Sequence, residues 1–237
     1  MADKVTAIVL AAGKGSRMNS DIPKQYLTLL GKPVLFYSLQ AFEESDVDEI
    51  ILVTGSGERE YCKKEIIEKY HIKKVRHIVE GGAERYHSVY HGLLATEEAD
   101  YVLIHDGARP LISPAVIKEA IKTVKKTNAC VVGMPVKDTI QLVDEQGIIS
   151  STPDRRKTWI AQTPQCFLYP LALSSYKEAI EKGDNTITDD AMVVQRYGKA
   201  EVVMLEGGYE NIKVTTPEEI VVAKSFLKMK GCMLLSK

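Results

Sequence analysis

Several short segments carry residue types suited to phosphate chemistry. Leu10-Ala11-Ala12-Gly13-Lys14-Gly15-Ser16-Arg17-Met18 is small and glycine-rich. Small side chains let backbone approach a ligand closely, and successive amides in such a turn can cradle a phosphate. The segment is not a P-loop, because Ile8 stands where that motif has its first glycine. Nor is it a dinucleotide fingerprint, since Met18 occupies the third glycine position. By itself it reads equally as a tight strand–helix turn. Arg17 and Lys24, the latter in Pro23-Lys24-Gln25-Tyr26, sharpen the reading. Two fixed cations beside such a turn suit a triphosphate, whose transferring centre gathers negative charge. The plain alternative is two solvated surface charges.

Glu80-Gly81-Gly82-Ala83-Glu84-Arg85, followed by His87-Ser88-Val89, offers a second turn for close approach. Ser88 could present a hydroxyl to a base or ribose, or be buried against backbone. Ile104-His105-Asp106-Gly107-Ala108-Arg109-Pro110 places an acid beside a glycine. Asp106 there suits a divalent cation or a substrate hydroxyl, and Arg109 can grip a phosphate with two nitrogens. An Asp106–Arg109 turn pair is the structural alternative. His105 reads as a packed histidine. Asp138-Thr139, Asp154-Arg155-Arg156, Thr163-Pro164-Gln165, Thr186-Ile187-Thr188-Asp189-Asp190 and Asn211-Ile212-Lys213-Val214-Thr215 complete the set. Each alone could be loop chemistry, and Lys213 alone a surface lysine.

The elements that must position these residues are legible as a rhythm. Apolar runs rich in Val and Ile cover 5–10, 49–54, 74–79, 100–105, 129–136 and 201–205. They lack period-2 alternation, as strands buried on both faces do. Helical patterns lie between them, near 33–42, 58–70, 84–97, 114–127, 171–182 and 188–197. Thr216-Pro217-Glu218-Glu219 predicts a last helix, with an N-cap, a proline at N1 and a glutamate at N3. Alternation of this kind predicts an α/β fold, a mostly parallel twisted sheet with helices on both faces. Ligands then bind beyond the carboxyl ends of the strands. Residues 137–160 break the rhythm with a hairpin pattern, Thr139-Ile140-Gln141-Leu142-Val143, a Gly147-containing loop, and Ile148-Ile149. A projecting two-stranded hairpin is marginal in water. A second copy of the chain is the simplest surface to cover it.

The chain has 237 residues, which suits one large domain over 1–237 at about 150 residues per domain. Lys plus Arg total 31 and Asp plus Glu 32, for a net charge of −1, which argues against nucleic acid as a partner. Cys62, Cys130, Cys166 and Cys232 are far apart, which suits reduced thiols better than zinc or a disulfide framework. No apolar run approaches the roughly 20 residues of a membrane span, and no signal-peptide pattern opens the chain. The expected location is cytoplasmic, with no membrane partner.

Taken in order, LAAGKGSRM–PKQY, GGAERYHSV, HDGARP, KDT, DRR…W…TPQ, TITDDA and NIKVTTPEE resemble 2-C-methyl-D-erythritol 4-phosphate cytidylyltransferases over nearly the whole chain. The resemblance implies a Rossmann-like nucleotidyltransferase fold with a projecting hairpin arm, and a homodimer joined through that arm. It implies CTP and a sugar-alcohol phosphate as substrates, Mg²⁺ or another divalent cation as cofactor, and a step of the non-mevalonate isoprenoid pathway. Residue by residue, it makes Arg17, Lys24, Arg155 and Lys213 catalytic. It makes Leu10, Ala11, Ala12, Gly13, Gly81, Gly82 and Ser88 nucleotide-binding. Asp106, Arg109, Thr139, Thr163 and Thr188 would bind the acceptor, with Asp106 also facing the metal. Two features depart from the common pattern. Gly107 stands where alanine is frequent, a change expected not to matter. Arg156 follows Arg155, so either could contact phosphate. Ribitol-5-phosphate cytidylyltransferases share most of these motifs. A dinucleotide-binding oxidoreductase shares the opening turn but needs an acid about 20 residues on, and residues 33–42 contain none.

Overall fold

A computed structural model describes residues 3–13 and 22–235, and side chains as far as residue 229. Among the described residues, seven strands share one sheet: β1 (Val5–Ala11), β2 (Glu49–Thr54), β3 (Val75–Glu80), β4 (Tyr101–Asp106), β5 (Ala129–Pro135), β6 (Trp159–Leu168) and β7 (Val203–Glu206). Their order is β7-β5-β6-β4-β1-β2-β3. All pairs are parallel except those of β6, which runs antiparallel to both β4 and β5.

The Val/Ile runs become strands because both faces of the sheet are covered. Ile8 sits opposite Ile51 on one side and Ile104 on the other, and all three are fully buried. The edge strands β3 and β7 are only partly buried. One face packs α1 (Val34–Glu43) and α4 (Pro114–Thr127) through Leu35, Phe42, Ile117 and Val124. The other packs α3 (Arg85–Leu94), α5 (Tyr169–Glu181) and α6 (Asp190–Tyr197) through Val89, Tyr176 and Val193. Between β2 and β3 lies α2 (Arg59–Cys62), which runs on as a π-helical turn over Lys63–Glu68. The predicted last helix is α7 (Pro217–Leu235). The Glu219 carboxylate accepts from the Thr216 amide at 2.9 Å, the reaching-back half of the expected cap. Among the described residues no helix is long and apolar enough to cross a membrane.

Register fixes the working edge. Leu10 pairs with Asp106, Ala11 with Thr54 and Thr54 with Glu80. Four strands therefore end level, and the loops that follow them share one rim.

Residues 137–160 contain a hairpin shorter than its sequence pattern. Leu142–Val143 pairs with Ile149–Ser151. Asp144 closes the turn, accepting from the amides of Gln146 at 3.0 Å and Ile148 at 2.9 Å. Leu142, Val143, Ile148 and Ile149 are 50–65% exposed. The return leg corrects the sequence reading. The sequence reading assigns no strand directly after the arm, but from Trp159 the chain enters the sheet as the ten-residue β6.

Candidate active site

A cleft of about 910 Å³ opens on the level rim of the sheet. Leu10, Ala11, Ala12 and Gly13 form one wall at the end of β1. Gln25 ties the next segment to it, donating from Nε2 to the Ala11 carbonyl at 2.7 Å. Gln25 lies in the one-turn 3₁₀ helix Lys24–Tyr26. Tyr26 anchors the turn's other end, donating to Glu58 at 2.6 Å with the Cys62 Sγ 3.0 Å away. Lys24 is thus carried into the cleft on a turn fixed at both ends. Arg17 lies outside the described residues.

The opposite wall is the β3–α3 turn. The Gly81 amide donates to Thr54 O at 2.8 Å, continuing the ladder beyond the strand. A Cβ on Gly81 would lie 2.5 Å from that of Ala12, so glycine alone lets the two walls meet. The Ser88 hydroxyl is used inside the protein. It accepts from the Gly82 amide at 3.1 Å and donates to Glu84 O at 3.2 Å. Of the two sequence readings, the structure gives Ser88 the backbone one, although the residue lines the cleft.

Asp106, at the end of β4, is the electrostatic centre. Its Oδ2 lies 2.7 Å from Lys213 Nζ and its Oδ1 3.0 Å from Arg85 Nε. Burial alone would raise its pKa, but Arg85, Lys213 and Arg109 hold it well below the usual carboxylate range. The Asp106–Arg109 turn is present, the Arg109 amide donating to Asp106 O at 2.9 Å, but the Asp106 carboxylate pairs with Arg85 and Lys213. Arg109 donates from a terminal nitrogen to Asn211 O at 2.7 Å, and its buried Nε has no partner among the described residues. That contact and the 2.8 Å bond from Val214 N to Ala108 O join the Lys213 segment to the loop after β4. Gly107 corrects an expectation. An alanine there would bring Cβ to 2.9 Å from Leu10 O and 2.7 Å from Leu35, so the exchange is not neutral in this chain.

His105 is fully buried, and burial pushes its pKa down to about 3, with Arg109 adding to the effect and Asp106 opposing it. It contacts Thr163 Oγ1 at 3.0 Å. Thr163 is buried too and accepts from the Asp106 amide at 3.1 Å, so it braces the site from beneath. Thr139, Arg155 and Thr188 are exposed and stand outside the lining of this cleft. Arg155 donates to the Lys137 carbonyl at 3.1 Å, and Arg156 pairs with Asp154. The single chain thus gathers Leu10–Gly13, Lys24, Gly81, Gly82, Ser88, Asp106 and Lys213, and leaves the arm residues apart.

Arg85 and Asp190 carry weight that the sequence reading did not give them. Arg85 donates to both oxygens of Asp190, at 2.6 and 2.8 Å. Their only signal was membership of the GGAER and TITDDA segments. Glu58, in the loop after β2, is a further lining residue without a sequence cue.

The donor set bears on a metal. Among the described residues no three of His, Cys, Asp and Glu gather to hold an ion. Asp106 offers carboxylate oxygens facing the cleft. That fits Mg²⁺, which commonly takes one or two carboxylates and completes its shell with phosphate oxygens and water.

Comparison with known proteins agrees with the geometry. The family model described as 2-C-methyl-D-erythritol 4-phosphate cytidylyltransferase matches residues 5–229. The enzyme of that name from Lachnoclostridium phytofermentans is 49% identical over 95% of this chain and 97% of its own. The one from Lachnospira eligens is 50% identical over 94% of this chain and 99% of its own. A crystal structure of 4-diphosphocytidyl-2C-methyl-D-erythritol synthase from Anaerococcus prevotii superposes with a TM-score of 0.84. It is 32% identical and covers 95% of this chain and 96% of that one. These matches leave no place for the oxidoreductase alternative. The chain belongs to the 2-C-methyl-D-erythritol 4-phosphate cytidylyltransferase family and is a nucleotidyltransferase.

Proposed function

We propose that the rim cleft seats CTP beside 2-C-methyl-D-erythritol 4-phosphate and brings two anions together for in-line transfer. An acceptor phosphate oxygen forms a bond to the α-phosphorus of CTP, and the α–β bridging bond breaks to release pyrophosphate. The product is 4-diphosphocytidyl-2-C-methyl-D-erythritol, in the non-mevalonate isoprenoid pathway. One observation carries this reading. Two close-packed backbone turns and a cluster of fixed charges meet in a single cleft at the carboxyl ends of four strands.

No general base is needed, because a phosphate monoester is already largely ionised near neutral pH, with a second pKa of about 6. His105, beneath the site, is buried and neutral. The Cys62 thiol, pushed up to about 11 by burial, is no nucleophile. Catalysis is therefore positioning and charge stabilisation. Leu10–Gly13, Gly81, Gly82 and Ser88 shape the nucleotide subsite. Lys24 and Arg17 neutralise the triphosphate. Asp106, Arg109, Thr163, Thr188 and Lys213 take the acceptor side. Asp106 would give one oxygen to a magnesium ion otherwise held by phosphates and water, and such an ion, when bound, screens the reactants' repulsion.

The chain acts as a single nucleotidyltransferase domain over 1–237, with 137–160 as a dimerisation arm. Four half-exposed apolar side chains on the hairpin favour a second copy as its cover. Thr139 and Arg155 would then reach the partner's acceptor. The three described thiols Cys62, Cys130 and Cys166 are free and buried, which favours a reducing cytoplasm.

An acceptor panel tests the reading. With CTP and Mg²⁺, methylerythritol phosphate should release pyrophosphate and ribitol 5-phosphate should not. Release with ribitol 5-phosphate alone would overturn the acceptor assignment.

A further inference from the structure

Asp190 is a fully buried carboxylate in a polar site of its own. A buried charge is tolerated only when paired and hydrogen-bonded. Here Arg85 supplies two nitrogens, at 2.6 and 2.8 Å, and Tyr176 a hydroxyl at 2.5 Å. The neighbouring Asp189 has a different task. It caps α6, accepting from the Ala191 amide at 2.9 Å, and is held by Gln165 at 2.5 Å. Helix capping therefore does not account for Asp190.

The geometry of Arg85 supplies the account. A guanidinium is a rigid planar fork. With both terminal nitrogens engaged by Asp190, its plane is fixed, and the remaining Nε–H faces Asp106 at 3.0 Å. Asp106 Oδ1 is thereby held, and its Oδ2 meets Lys213 Nζ at 2.7 Å. The chain of contacts runs from a carboxylate with no solvent exposure to a lysine that is 35% exposed at the cleft. Without Asp190, Arg85 would keep one carboxylate partner instead of two. It would be free to swing both terminal nitrogens onto Asp106, in competition with Lys213.

We propose that Asp190 is a positioning residue that sets, through the plane of Arg85, where the Asp106 carboxylate and the Lys213 ammonium stand in the cleft. This rests on the reading of Lys213 as an acceptor-side cation, and the test separates the two.

Asp190→Asn keeps the shape and removes the charge. It should raise the KM for methylerythritol phosphate about tenfold, the lower end for loss of a supporting partner. The KM for CTP should move less than twofold. Tyr176→Phe leaves every charge in place and should shift the same KM two- to threefold. It carries the test if Asp190→Asn does not fold. Kinetics are compared per folded molecule, counted by CTP binding. Lys213→Ala combined with Asp190→Asn should be no worse than Lys213→Ala alone, because the two act in series. Unchanged KM values in folded Asp190→Asn or, if it does not fold, in Tyr176→Phe would overturn the relay. So would equal rises for both substrates, or additive losses in the double variant. If Lys213→Ala itself leaves the acceptor KM untouched, the acceptor-side reading fails, and the relay loses its end point.

Discussion

Lys213 and Arg155 are both cations proposed to meet an acceptor phosphate, and their surroundings are opposite. Lys213 is held at 2.7 Å by Asp106, which is itself held by Arg85, which is held by Asp190. Arg155 stands exposed, its side chain donating to the Lys137 carbonyl of its own arm. Around Lys213 the carboxylates are buried and paired with cations. Around Arg155 the notable side chains are apolar and half out in water. The charges around Lys213 are preset by their own chain, as electrostatic catalysis demands. In the dimer proposed above, the arm's geometry would be completed by the second copy.

The largest effects should come from breaking the preset side. Lys24→Ala or Lys213→Ala should lower kcat by roughly 10²–10³-fold, as for removal of one electrostatic stabiliser, measured by steady-state pyrophosphate release. Near-normal turnover in both folded variants would remove the basis of the contrast. The same loss is expected for Arg17→Ala.

The arm is tested by exchange between subunits. Arg155→Ala should cost about 10–100-fold, the scale of one charge-assisted hydrogen bond. Mixed with Lys24→Ala chains, it should regain activity in one of the two sites of each heterodimer. Proven heterodimers no more active than either parent would show that the arm serves its own cleft or none.

A smaller, graded effect distinguishes the cleft floor from the arm. The unfolded chain protonates His105 below about pH 6.5, whereas the folded chain resists until about 3. Between those values the unfolded state binds the extra proton, so stability falls as pH falls, by about 1.4 kcal/mol per pH unit at most. Asp106, whose folded pKa is depressed, acts in the same direction below the ordinary carboxylate range. Urea midpoints taken from pH 7 to pH 4 should show this slope, and His105→Gln should flatten it. The smallest effect belongs to Arg156. Its contacts stay within its own loop, to Asp154, so Arg156→Ala should change activity less than twofold. A loss matching that of Arg155→Ala would reassign the arm's phosphate contact.

Much of the fold was readable because its strands are continuous Val/Ile runs with helical patterns between them. β6 was not. Gln162, Thr163, Pro164 and Gln165 interrupt its apolar character, and their polar groups are needed elsewhere. Gln162 and Thr163 accept from Asn211, Thr163 also serves Asp106, and Gln165 holds Asp189. A strand that supports a site loses the plain pattern of a core strand. The glycine turns and Asp106 were readable for the converse reason, since local sequence dictates a turn at a strand end. The link from Arg85 to Asp190 spans 105 positions, and no spacing rule in one sequence could join them. Ser88 was ambiguous because a hydroxyl in a turn suits backbone and ligand equally.

The pairing around Asp106 also bears on what the cleft ignores. Arg85 and Lys213 face Asp106 and Asp190, so these four groups sum to zero formal charge. A bare cluster of lysines and arginines would trap any small oxyanion in its surroundings. A cluster already balanced holds stray sulfate or inorganic phosphate weakly. It answers best to a guest with enough well-placed contacts to share those cations with their resident carboxylates. Selectivity against simple anions is thus a by-product of holding the positive groups still.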